Sequence, residues 1–150
     1  MEWVHVRRPY EGLPMARVLI PFVDPEGARR AVVQLLAETR DPRLAVHLLA
    51  AVEPRVSGKV RIFMSPERAQ AAVRDAAQSW LAPLEAMLAA AGVPCTSEIV
   101  VGPTWAAIRE ASSRPDIDRV LLPVKRHSWR GWREHSGYAL HSPHRVTLVA

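Results

Sequence analysis

A single cysteine, Cys95, stands in 150 residues. No internal disulfide can staple this chain, and a reducing compartment suits it. Long apolar runs are missing as well: the stretch Leu44–Val52 is broken by His47 and is too short to cross a bilayer. The opening Met1-Glu2-Trp3-Val4-His5 lacks the basic-then-apolar order of a secretory signal. No membrane partner is therefore expected, and a cytoplasmic location is. Glycine occupies only 7 positions and no tract is repetitive, which excludes collagen-like and low-complexity chains.

What the chain does have is hydrocarbon. Apolar residues make up 49% of it, enough to fill the core of one domain and too many for disorder. Charge is unevenly placed. From Arg119 onward six basic residues (Arg119, Lys125, Arg126, Arg130, Arg133, Arg145) face Glu134 alone, so the net +5 of the whole chain lies in this tail. Such a patch attracts anions, whether phosphate, nucleic acid or an acidic protein; a plain solvated surface is the competing reading.

Residues 1–15 read as a polar leader with Pro9, Gly12 and Pro14, lying over the surface or without regular structure. The domain is expected over 16–150. Ala16–Val23 is an apolar run suited to a strand buried on both faces. Asp24-Pro25-Glu26 is a helix start: a capping aspartate, a proline at the first turn and an acid at the positive end. Ala28, Ala31, Val32, Leu35 and Leu36 follow at helical spacing. Leu44–Ala50 is the second strand. Ser65-Pro66-Glu67 opens a long helix to Ala91, with Ala69, Val73, Ala76, Trp80, Leu84, Met87 and Leu88 expected inward. Pro83 is expected to kink or divide it, and Gly92 to stop it. Cys95–Val101, Arg119–Val124 and Arg145–Val149 complete five strands, with a short helix from Trp105 to Ser112. Strand and helix alternate, which predicts a parallel sheet with right-handed crossovers and helices on both faces.

These landmarks resemble the universal stress protein family over Ala16–Val149. The strand Val18-Leu19-Ile20-Pro21-Phe22-Val23 ending in Asp24, the Val52-Glu53-Pro54 tail, the Ala91-Gly92-Val93 junction, Val101-Gly102-Pro103 and Asp116–Pro123 occur in the family's order. The resemblance implies a three-layer α/β/α sandwich of the adenine nucleotide alpha hydrolase-like type, with five parallel strands in the order 3-2-1-4-5. It also implies a homodimer paired through the last strand, at Val146, Thr147, Leu148 and Val149.

The nucleotide-binding branch of that family carries a glycine, two residues, a glycine, nine residues, then glycine and a hydroxyl residue after the fourth strand. Such glycines let backbone N–H groups approach phosphate. Here only Gly131 and Gly137 follow Pro123, and Tyr138 follows Gly137. Two readings result. In one, nucleotide binding is lost, no cofactor is held, and the domain is a non-enzymatic interaction module with a protein partner not identified by the sequence. In the other, ATP or AMP is bound with Lys125, Arg126 and Arg130 supplying charge in place of the glycine cradle. By resemblance Asp24 would meet the ribose or base, and Val52 and Gly102 would lie near the nucleotide. Asp24 is equally a helix cap and Val52 equally core. A third reading is polyanion or nucleic-acid binding by the basic tail, with Trp129 and Trp132 either stacking on bases or packing on the sheet. His135, His141 and His144 have only Glu134 close by and Cys95 far off in sequence, so surface histidines are read rather than a metal site. Ser128 and Ser136 sit in no nucleophile elbow, so no catalytic role is assigned.

Overall fold

A computed structural model describes residues 2–7, 16–38, 43–53, 65–123 and 145–149. Strand β1 (Glu2–Arg7) precedes β2 (Ala16–Phe22) and helix α1 (Pro25–Glu38). Then come β3 (Leu44–Val52), α2 (Pro66–Ala90), β4 (Cys95–Val101), α3 (Thr104–Ser112), β5 (Arg119–Leu122) and β6 (Arg145–Leu148). The sheet order is β1-β4-β3-β2-β5-β6. All neighbours from β4 to β6 are parallel. That is the expected 3-2-1-4-5 sheet of an α/β fold.

The sheet has one strand more than expected. Glu2–Arg7, read from the sequence as part of a surface leader, pairs antiparallel with β4. A six-residue edge strand leaves little trace in a sequence, because only one of its sides needs a partner.

Local signals set the helix ends. Asp24 Oδ1 accepts from Gly27 N–H at 2.7 Å, and its carbonyl accepts from Ala28 N–H at 3.0 Å, so it caps α1. Ser65 caps α2 by accepting from Arg68 N–H at 3.2 Å. That helix ends at Ala90, and Gly92 just beyond it turns the chain with a φ of 71° that suits a residue without Cβ.

The core has two halves, one on each face of the sheet. Under α1 and α2 lie Val18, Ile20, Val46, Leu48, Ala50, Ile99 and Leu121. Under α3 lie Leu19, Leu49, Val100, Val120 and Leu122. The inward stripe of α2 is Ala77, Leu81, Leu84 and Leu88. Leu84 and Leu88 were expected there; Ala76 and Trp80 instead face solvent, with Trp80 stacked on Phe22 at 5.4 Å. Nor does Pro83 divide the helix, which runs unbroken from Pro66 to Ala90. Pro83 is on the exposed side, where water can serve the carbonyl whose partner it removes. The first turns of α2, from Pro66 to Ala76, bury no residue.

Candidate functional site

In a doubly wound sheet, ligands favour the carboxyl edge where the strand order reverses. Here that point lies between β2 and β5. The two strands share only the pairs Val18↔Arg119 and Leu19↔Val120, whereas β3 and β4 share seven. Below the pairs, Asp118 closes the seam: its carboxylate accepts from Arg17 N–H at 2.8 Å, and its own N–H donates to Arg17 C=O at 2.9 Å. Above the pairs stand Pro21 on β2 and Pro123 just after β5, neither of which has an N–H for a ladder.

The start of α1 fits into this opening. A Cβ added at Gly27 would lie 2.7 Å from Asp24 Oδ2 and 3.1 Å from both the Cβ and the carbonyl oxygen of Pro123. Only a glycine lets the helix lie this close to the end of β5. Sequence reasoning did not single out Gly27, since a glycine in the first turn of a helix carries no signal of its own.

The residues assigned by resemblance separate into groups. Asp24 sits at this seam with one carboxylate oxygen engaged as the cap of α1. Val52 ends β3 and packs against the α1/α2 core, and its carbonyl accepts from Gly102 N–H at 3.0 Å, which ties the ends of β3 and β4 together. Among the described residues no hydrogen bond or ion pair joins Asp24 to either. Lys125, Arg126 and Arg130 lie outside the described residues, as do the histidines of the basic tail. Among the described residues no group of three or more His, Cys, Asp or Glu could hold a metal ion, and no helix is long and apolar enough to cross a membrane. Val146, Thr147 and Leu148 form β6 at the sheet edge. Val149 is buried, its N–H donating to Leu122 C=O at 2.9 Å.

A second polar group was missed by the sequence reading. Under α3, His47 and Glu98 are 4% and 1% exposed. His47 Nδ1 bonds the Thr96 hydroxyl, and its Nε2 stands 3.2 Å from Glu98 Oε1. Arg114, just past α3, donates to the same oxygen at 2.5 Å. Burial alone would push the Glu98 carboxyl up. The hydrogen bonds and electrostatic pull of His47 and Arg114 more than reverse this and hold it down at about 2. His47 and Glu98 are enclosed and Arg114 half-buried over them, so the cluster pins β3, β4 and the turn after α3 together. Its one sequence signal was a histidine and a glutamate placed inside strands that are otherwise apolar or small.

Fold and seam together define a doubly wound α/β domain of the kind that offers a ligand crevice at its strand reversal. The sequence pattern of the universal stress protein family matches residues 15–141, and the chain belongs to that family. Among curated proteins no sequence matches it. Several solved structures share the fold. The hypothetical protein MJ0577 is 17% identical with a TM-score of 0.67, over 91% of this chain and 96% of that one. A universal stress protein family member from Burkholderia pseudomallei is 12% identical with a TM-score of 0.62, over 92% and 98%. The Arabidopsis thaliana family protein At3g01520, solved with AMP bound, is 16% identical with a TM-score of 0.59, over 89% and 90%.

Proposed function

We propose that this universal stress protein domain is a non-enzymatic, cytoplasmic stress-response module that works as a homodimer through β6 and does not hold ATP in the family's usual way. One observation carries the reading. At the strand reversal, α1 lies against Pro123 through Gly27, and the aspartate that would meet a nucleotide already caps that helix. The glycine spacing that would cradle phosphate is also absent from the sequence after Pro123. Titration calorimetry with ATP and magnesium at millimolar concentration is expected to give no tight binding; a dissociation constant in the low micromolar range would overturn the reading. Light scattering is expected to give a dimer, and a stable 16.7 kDa monomer would remove that part of it.

A second reading is favoured by the AMP held in the Arabidopsis thaliana relative. In it a nucleotide binds above the two residue pairs of β2 and β5, with basic side chains of the tail supplying charge. The same titration, run with AMP, decides between the two.

A further inference from the structure

We propose that the first three turns of α2, residues 66–76, are an arm that projects past the carboxyl edge of the sheet and melts and reforms while the rest of the domain stays folded, with the Trp80–Phe22 stack as its boundary. The lengths of the elements give the projection. Helix α2 has 25 residues and spans about 37 Å. Strand β4, which follows it, has 7 residues and spans about 23 Å. The two run in opposite directions and meet at the amino edge, where Val93 N–H donates to Leu88 C=O and Val46 N–H to Pro94 C=O, both at 2.9 Å. The difference of about 14 Å, roughly nine residues of helix, therefore lies beyond the far end of β4. Strand β3 gives the arm no support there either, because it ends level with β4 at the pair Val52↔Val101.

Burial agrees with this geometry. The buried residues of the helix, Ala77, Leu81, Leu84 and Leu88, all come after the arm. Within it only Val73 packs against the core, and it is half-buried. The last large contact before the projection is the ring of Trp80, stacked on Phe22 at 5.4 Å and 9°. Phe22 lies level with Ala50 and Ile99, two residues short of Val101, so the stack marks where the sheet is about to end.

Two opposed effects hold the arm near balance. A helix of three turns with almost no buried face is marginal in water, so tertiary packing does not fix it. Its own sequence favours it: Ala69, Ala71, Ala72 and Ala76 are good helix formers, Ser65 caps its first turn, and the folded helix behind it supplies the nucleus. The arm therefore has two accessible states, and its opening is separate from unfolding of the domain. In one state α2 is complete and forms a wall beside the carboxyl ends of β3 and β4. In the other α2 begins near Ala77 and that side is open. A doubly wound sheet takes its ligands at this edge, so the arm sets access from the β3 side, whether or not the ligand is a nucleotide.

Hydrogen exchange of the full chain, read by mass spectrometry, tests this. Every amide from Gln70 to Ala76 has a helical carbonyl four residues back, so slow exchange is open to it. These amides are expected to exchange at least about a hundredfold faster than those of Leu84–Ala90. Equal protection of the two stretches overturns the proposal. Two variants sharpen it. Ala72→Gly with Ala76→Gly, both at exposed positions, should speed exchange in the arm about tenfold. The midpoint of urea unfolding should stay where it was, because the core does not depend on the arm. A midpoint that falls shows that arm and core melt together, and rejects the proposal. Trp80→Ala should speed exchange from Ala77 to Ser79 by about three- to tenfold relative to Leu84–Ala90, carrying the boundary into the next turn. Unchanged exchange there rejects the stack as the boundary.

Discussion

On the side of the sheet covered by α1 and α2, β3 turns Val46, Leu48 and Ala50 inward, all apolar. On the side covered by α3 the same strand turns in His47 next to Leu49, and β4 adds Thr96 and Glu98. One layer is thus held mainly by hydrocarbon, and the other partly by a buried carboxylate and its partners His47 and Arg114. The difference teaches where this domain is sensitive to conditions. Apolar burial is indifferent to pH, whereas a carboxylate held in its charged form ties stability to its own titration.

The largest expected effect tests the apolar side. Leu48→Ala removes a side chain with no exposure from the central strands. It should cost about 4 kcal/mol, since the surrounding sheet and helices can collapse only partly. Urea unfolding at neutral pH and at pH 5 should give the same loss, and a loss under about 1 kcal/mol would show that this layer is not the tight one.

The next effect tests the charged side. The Glu98 carboxyl is held at about 2 in the folded chain against an ordinary 4.5. A folded value below the unfolded one stabilises fully above the unfolded value, and the gain is lost as pH falls through the folded value. The wild-type chain should therefore lose about 3 kcal/mol through this group between pH 4.5 and 2. Glu98→Gln should remove that slope, and parallel unfolding curves for the two proteins over the window would break the comparison.

The smallest effect tests whether the apolar side is free of charge at its margin. Asp24 lends one carboxylate oxygen to the first turn of α1. Asp24→Ala should cost about 1 kcal/mol, the usual worth of a helix cap. Thermal unfolding measures it. A loss of about 3 kcal/mol or more would mean that Asp24 does more at the β2–β5 seam than cap a helix.

Much of this architecture was legible in the sequence, because it rests on patterns with a period. Apolar runs marked the five parallel strands, and Asp24-Pro25 and Ser65-Pro66 marked two helix starts. What stayed hidden depends on third dimensions that no period carries. Trp80 was read as inward because it is large and apolar, yet it lies on the flank of α2 and covers Phe22 from outside. Pro83 was read as a kink or a division, and it does not divide the helix, because position around the helix is not visible in a breaker. The partners of Glu98 come from β3 and from the turn after α3, and nothing in their spacing joins them. At the candidate site Asp24 was legible as a cap, while the closeness of Gly27 to Pro123 needed the fold.

The narrow β2–β5 seam also bears on the order in which the chain assembles. Ala16 and Leu44 of the β2–β3 pair are close in sequence, whereas the seam joins Arg17 to Asp118, 101 residues away. Closing the longer loop costs about 1 kcal/mol more entropy than closing the shorter one. Only two residue pairs and the Asp118 clamp return that cost, against seven pairs between β2 and β3. Contacts this distant and this few form late. The half carrying β2, β3 and β4 is therefore expected to assemble first, with β5 and β6 docking after it.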